Sequence, residues 1–334
     1  MNFHNKEFYF HSILCYNNII IKYIIGVIMT NVKNEESWLE PSFYTGNYRI
    51  VVLPDTQNII ERFPKLYLKM MKWIKDNTNQ LNIKAILHMG DIVNTNTIEQ
   101  WEIAKQGFDY IDNSSVSFIP MIGNHDDSEM FNKFFDYQTY GSNKIYFGGS
   151  FEDNKLDYCY WYLNVNERKY LILNMGWAPS VDVINWGRKI IEDNKDKNII
   201  FTAHAYMHRH NRLLEKDDQF SITSYPGLEK NLEGNEIWKI FSEYENVVLG
   251  LSGHISSLDL SKFIDNNKTS LLFDNQDLDK KEELGMIGLL TFKNNSDIVG
   301  VNWFSVNFNK LYKKENQFEI FVNHINCNNG DNNV

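Results

Sequence analysis

Five short apolar runs in this chain end on side chains that can hold a metal ion or move a proton. Asp55 follows residues 49–53, Asp91 follows 84–87, Asn124 and His125 follow 117–122, His204 follows 198–202, and His254 follows 247–251. The set mixes hard oxygen donors with imidazoles, a combination suited to divalent transition-metal ions. Three of the positions adjoin a glycine (Gly90, Gly123, Gly253), which lets the backbone approach a ligand closely. One histidine at a strand end is usually a hydrogen-bonded structural residue. Donors at five separate ends are hard to explain that way.

The elements that must position these groups can be read from periodicity. Residues 49–53 form a β-branched run closed by Pro54, and 84–87 and 117–122 are further strands. Leu66, Met70, Trp73 and Ile74 are spaced as one helical face, predicting a helix over 65–77. Helices are expected at 97–110, 182–193 and 236–244, and strands at 198–202 and 247–251. Alternation on both sides of Asn166-Glu167-Arg168 predicts a hairpin that opens a second sheet. Strand–helix alternation implies a parallel or mixed sheet with helices outside. Ligands in such sheets bind beyond the carboxyl ends of the strands, where the donors fall.

On these residues the chain resembles the calcineurin-like metallophosphoesterase superfamily. Pro54-Asp55-Thr56-Gln57 is similar to a first motif used by one subgroup, and Gly90-Asp91-Ile92-Val93-Asn94 to the second motif. Gly123-Asn124-His125-Asp126 looks like the third, Thr202-Ala203-His204 like the fourth, and Ser252-Gly253-His254 like the fifth. The segment 271–276, followed by 285–292, looks like closing strands of the same subgroup. The resemblance covers about residues 48–308 and implies an α/β (α+β) fold, a four-layer αββα sandwich with two mixed β-sheets flanked by helices. It implies a metal-dependent phosphoesterase that hydrolyses phosphomonoesters or phosphodiesters with two divalent ions (Mn²⁺, Fe²⁺ or Fe³⁺, Zn²⁺ or Mg²⁺). Carried over, Asp91 bridges both ions, Asn124, His204 and His254 complete the second position, and Asp55 holds the first. The ions supply an attacking hydroxide of lowered pKa and neutralise the phosphoryl oxygens. His125 is placed as general acid, and Asp126 either orients His125 or caps a turn.

Two departures fall on the first cation position. The family pattern there is Asp-x-His, whereas this chain has Asp55-Thr56-Gln57; the fifth motif is Gly-His-x-His, whereas this chain has Gly253-His254-Ile255-Ser256. Gln57 offers only a carbonyl oxygen and Ser256 a poor neutral ligand, so the first ion is expected to bind weakly or to be a harder ion such as Mn²⁺ or Mg²⁺. The same departures motivate an alternative: a catalytically impaired member that serves as a binding or scaffold module.

Other groups stand near the expected site. Arg209 could clamp a phosphate through its planar fork, and His208 or His210 could replace a missing ligand, although solvated loop residues are the plainer reading. His88 is expected to be a core histidine, or one that supports the ligands from behind, rather than a ligand. Residues 127–157 carry Phe131, Phe134, Phe135, Tyr137, Tyr140, Tyr146 and Phe147 without clean periodicity. Directly after the third motif, they read either as a lid over the substrate or as an insertion packing on its own aromatics.

Composition bounds the rest. The chain has 334 residues, a formal net charge of -10 and 43% hydrophobic residues. That suits one large globular domain, expected over 41–320, with an N-terminal extension at 1–40 and a tail at 321–334. The acidic balance argues against long nucleic-acid tracts as partners but not against a small phosphate ester held by metals. Three widely spaced cysteines (Cys15, Cys159, Cys327) do not make a disulfide framework or a cysteine zinc site. The apolar run 19–29 is shorter than the roughly 20 residues of a comfortable membrane span and lacks signal-peptide flanks. A cytoplasmic location is therefore expected, with secretion or membrane contact only if that run acts as a signal or anchor.

Overall fold

A computed structural model describes residues 37–112, 116–279 and 283–325. The expected extension up to residue 36, with its apolar run, and the last nine residues lie outside them.

The strands in chain order are β1 (Trp38–Leu39), β2 (Tyr48–Leu53), β3 (Ile83–His88), β4 (Ser117–Ile119), β5 (Phe147–Ser150), β6 (Cys159–Val165), β7 (Arg168–Asn174) and β8 (Asn198–Thr202). Then come β9 (Met207–His208), β10 (Arg212–Leu213), β11 (Val247–Ser252), β12 (Ser261–Asp265), β13 (Lys268–Leu272), β14 (Met286–Phe292), β15 (Ile298–Ser305), β16 (Lys310–Tyr312) and β17 (Phe318–Phe321). The α-helices are α1 (Gln57–Arg62), α2 (Pro64–Asn77), α3 (Ile98–Asp112), α4 (Ser128–Phe134), α5 (Val181–Asp193), α6 (Gly234–Ser242) and α7 (Gln276–Asp279). The expected strands at 49–53, 84–87, 117–122, 198–202 and 247–251 and the expected helices at 65–77, 97–110, 182–193 and 236–244 are among them, with ends shifted by up to three residues.

Two large sheets carry the fold. One runs β1-β16-β15-β14-β2-β3-β4, with β17 also paired to β15; the other runs β12-β13-β11-β8-β7-β6-β5. Both are mixed. The pairs β2–β3 and β3–β4 are parallel, as are β7–β8, β8–β11 and β11–β13, and the flanking pairs are antiparallel. This is the four-layer αββα architecture expected from the sequence.

Alternation along the central strands explains the layering. In β7, Tyr170 and Ile172 enter the core between the sheets, while Leu171 and Leu173 face the outer core with Ile184, Ile191, Trp238 and Phe241 of α5 and α6. On the other side, Leu66, Tyr67 and Met70 of α2 and Trp101 and Phe108 of α3 cover the first sheet. Every residue of β2 and β11 is buried, as strands covered on both faces require.

The parallel strands of both sheets run into loops at one end of the sandwich. The loops after β2, β3, β4, β8 and β11 bear the donors. A sixth, after β13, adds Asp274 and Gln276. Among the described residues no helix is long and apolar enough to cross a membrane.

Candidate functional site

The loop after β3 is shaped to turn Asp91 inward. Gly90 has φ +96° and Asp91 itself φ +50°, a left-handed conformation that costs a non-glycine residue energy and is kept where the surroundings enforce it. The amides of Thr56 and Gln57, entering α1, both donate to the Asp91 carbonyl at 3.0 Å. The amide of His125 donates to Asp91 Oδ1 at 2.9 Å. Glycines make room around it. A Cβ on Gly123 would strike the Asp91 amide and carboxylate, one on Gly90 the His204 ring, and one on Gly253 the Asp55 carboxylate.

His204 is held in one tautomer. Its Nδ1 donates to the Met89 carbonyl at 2.7 Å, which leaves Nε2 as a lone-pair donor. That nitrogen faces Asn124 Oδ1 at 2.9 Å and Asp91 Oδ1 at 3.3 Å. His254, at φ +72°, is fixed in the same manner: Nε2 donates to the Phe220 carbonyl at 2.8 Å. Its Nδ1 is buried with no partner among the described residues, and so are Asp91 Oδ2 and Gln57 Oε1. Ligand atoms of Asp91, His204 and His254 lie within 4.8 Å of one another. Electron-pair donors converge here, three of their atoms buried with no partner among the described residues, and a cation is a species that such an arrangement fits.

Charge supports the same fit. Burial, then Asp274 and Asp91, raise the Asp55 carboxyl well above its usual range. Burial outweighs the Gln276 hydrogen bonds and pushes Asp274 up to about 7. Burial pulls Asp91 upward too, but His204, His125 and His254 together outweigh it and hold its carboxyl low. His204 is raised: burial acts against its charge, and Asp91 overcomes burial. His254 is lowered to about 4 by burial and then by His204. Several carboxyl groups compete for too few positive charges, which bound cations would supply.

The other candidates fall as follows. Asp55 is buried and accepts the amide of His254 at 3.1 Å. Gln57 is buried in the first turn of α1. Asp126 departs from one of its two expected roles. Its carboxylate accepts the amides of Gly123 (2.8 Å), Ile92 (3.0 Å) and Val93 (3.0 Å), so it staples the loop after β3 to the loop after β4. The His125 ring is held instead by the Asn94 carbonyl, 3.2 Å from Nδ1. His88 is a core histidine: Nδ1 accepts from the Gly90 amide and Nε2 meets Thr56 Oγ1 at 3.0 Å. Ser256 turns its hydroxyl to the Asp277 amide at 3.0 Å.

A cavity of about 160 Å³ opens over the centre, bordered by Asp91, Asn124, His125, His208, Arg209 and Phe220 among others. His208 bonds the Arg209 carbonyl through Nδ1 at 2.6 Å, Arg209 is exposed and reaches the Ser256 carbonyl, and His210 is exposed. No residue of 127–157 borders this cavity. Phe131, Phe135 and Tyr140 are buried in the core, and Asp157 ties the segment down by accepting from Ser128 Oγ and Asn132 Nδ2. The segment therefore packs on α3 and on its own aromatics, away from the centre. The wall over the centre comes from residues 209–232. That loop is clamped by buried Glu233, which accepts the amides of Ile222 and Thr223, and by the Arg212–Asp218 pair. Phe220 (φ +65°) and Tyr225 belong to it, and Trp177, after β7, sits 5.1 Å from His254 and 5.0 Å from Tyr225, ring to ring.

Sequence reasoning missed Asp274, Gln276, Trp177 and the 209–232 wall as site features. Asp274 and Gln276 were legible as a strand-end pair, since they follow the apolar run of β13 as Asp91 follows that of β3.

The sequence profile of the calcineurin-like phosphoesterases matches residues 48–257. The Bacillus subtilis (strain 168) protein YvnB, described as uncharacterized, is 32% identical over 218 residues, covering 63% of this chain; the chain spans only 15% of that relative's length. Among solved structures, GAP50, titled the anchor in the inner membrane complex of Plasmodium, matches with a TM-score of 0.50 at 10% identity over 84% of this chain and 90% of that one. A 5'-nucleotidase from Candida albicans matches with a TM-score of 0.48 at 12% identity, over 81% of this chain and 53% of that one. At such identity the GAP50 likeness speaks to the fold alone. The profile match spans all five strand-end loops described above, and by it the chain belongs to the calcineurin-like phosphoesterases, a family of hydrolases that act on phosphate esters with divalent metal ions.

Proposed function

We propose that this protein is an active metal-dependent phosphoesterase of the subgroup whose first motif reads Pro-Asp-Thr-Gln, acting on a small phosphomonoester or phosphodiester. The observation that carries the reading is the convergence of donor atoms: His204 Nε2, Asn124 Oδ1 and Asp91 Oδ1 within reach of one another, with His254 Nδ1 and Asp91 Oδ2 buried beside them and without partners among the described residues. Asp91 would bridge two cations, Asn124, His204 and His254 would hold the second, and Asp55 with Gln57 would hold the first. Bound there, divalent ions supply positive charge that neutralises phosphoryl oxygens and lowers the pKa of an attacking water.

The chain's own residues do the remainder. The Met89 and Phe220 carbonyls fix the tautomers of His204 and His254, so each ring turns a lone pair inward. The Asn94 carbonyl accepts a hydrogen bond from His125 Nδ1, so a proton carried on Nε2 is the one that would pass to the leaving oxygen. Arg209 and His208, at the cavity rim, are the groups to bind and orient the ester. Asp126 acts at one remove, by holding the loops of Asp91 and Asn124 in register. Trp177, Tyr225 and Phe220 shield one side of the centre from water, which strengthens every charge interaction inside.

Ser256, spent on an amide of α7, favours a second reading in which a weak first position leaves a binding module without turnover. The two separate on one experiment. Chromogenic mono- and diesters are offered to the purified chain with added Mn²⁺, beside an Asp91→Asn variant. Metal-dependent hydrolysis at least a thousandfold above the variant supports the enzyme; hydrolysis equal to the variant supports the module.

A further inference from the structure

Gln57 is the weak point of the first cation position, because an amide side chain can present either an oxygen or an NH₂ group. The oxygen is a ligand and the NH₂ group is not. What decides between them lies on the loop after β13. The backbone amide of Gln276 donates to Asp274 Oδ1 at 2.8 Å, and its side-chain Nε2 faces Asp274 Oδ2 at 3.0 Å, the His254 carbonyl at 3.1 Å and Asp55 Oδ2 at 3.4 Å. With three oxygens around it, that end of Gln276 must be the donor. The other end, Oε1, accepts from Gln57 Nε2. Gln57 thereby spends its NH₂ group on Gln276, and its Oε1 is left buried with no partner among the described residues. Asn58 keeps the two helices in register, since its Nδ2 donates to the Gln276 carbonyl at 2.9 Å.

We propose that Asp274 and Gln276 are positioning residues that set the amide orientation of Gln57, so that an oxygen is offered to the first cation. The inference rests on the dinuclear reading given above. It accounts for a first position that lacks both family histidines yet keeps three oxygen-bearing residues, Asp55, Gln57 and Asp91. An oxygen-only position selects hard ions, so Mn²⁺ and Mg²⁺ are favoured there over Zn²⁺.

The test is a Mn²⁺ titration of the metal-free full chain, followed by calorimetry and by electron paramagnetic resonance. Wild type is expected to take two equivalents and to show a spin-coupled pair. Gln276→Leu is expected to weaken the first position by about tenfold to a hundredfold while the second keeps its Kd, so the spectrum stays mononuclear at one equivalent. Adding Gln57→Glu to Gln276→Leu is expected to restore the coupled spectrum, because a carboxylate offers oxygen at either end. A Gln276→Leu chain with wild-type stoichiometry and coupling overturns the proposal. So does a loss that Gln57→Glu fails to restore, which would mark Gln276 as a packing residue. A wild-type chain that never forms the pair overturns the dinuclear reading itself and the inference with it.

Discussion

Asp91 shows how one residue is built into the centre by its neighbours. Its left-handed backbone, the two amides from α1 and the absent side chain at Gly123 all act on the same few atoms. Gly123→Ala would force Asp91 to move, so we expect metal content to fall by half or more, measured by elemental analysis of the purified variant. Asp126 gives a sharper test. Its carboxyl serves three amides, so Asp126→Ala should lower unfolding stability by about 2–4 kcal/mol, as expected when buried donors lose their acceptor. A denaturant titration measures this. Had Asp126 served His125, the change would instead appear in the pH–rate profile with stability intact. Asp55, Asp91, Asn124, His204 and His254 were all legible because each follows an apolar run. Gln57 as an oriented amide was not, because its partner Gln276 is 219 positions away.

At the scale of elements, β-strand identity was read well from β-branched runs, and helices from their apolar faces. The lid was harder. Aromatics without periodicity in 127–157 say that something is covered but not what. In the fold they cover α3, where Phe135 lies 4.7 Å from Phe108 ring to ring. Phe131→Ala should therefore cost about 3–5 kcal/mol in a melt while leaving the relative rates on different esters unchanged. Tyr225→Ala, in the loop that does border the cavity, should change those relative rates with little loss of stability.

The C-terminal strap makes a second element-scale prediction. Tyr48 of β2, Tyr170 of β7 and His324 form a buried chain of hydrogen bonds at 2.8 Å each, ending on Asp297, and so join the two sheets. Burial lowers His324 from 6.5 to about 4, against the pull of Asp297. Its folded value lies below its unfolded one, so the unfolded chain binds the extra proton. Stability from this group is present above pH 6.5 and lost as pH falls toward 4. A His324→Leu chain should lack that loss, seen as a smaller fall in Tm between pH 7 and pH 4.5 than in wild type.

For the whole molecule, two mixed sheets enclose one core, and their parallel strands deliver seven loops to one end, those after β2, β3, β4, β7, β8, β11 and β13. Separated positions along the chain thus become neighbours, and the carboxylates gathered there carry a pH signature. Asp126 and Asp274, pushed up to about 7 from 3.8, hold protons in the folded chain that the unfolded chain has released. Their contribution to stability is present below pH 4 and lost as pH rises through 7. The buried histidines His88, His254 and His324 act in the opposite sense, but only below 6.5. Above that the raised carboxyls and His204, itself raised by Asp91, act in one sense, so the metal-free chain should lose Tm between pH 6.5 and 8, and Mn²⁺ should restore it.

The central claim is that the strand-end cluster is a working two-cation phosphoesterase centre. It is tested most directly by adding Mn²⁺ stepwise to the metal-free chain while occupancy and hydrolysis of a chromogenic phosphodiester and monoester are followed in the same sample. The account requires no turnover without metal, two ions bound per chain, and turnover of at least one ester rising with the second equivalent. Two ions bound with both esters untouched, or turnover unchanged by metal, would contradict it.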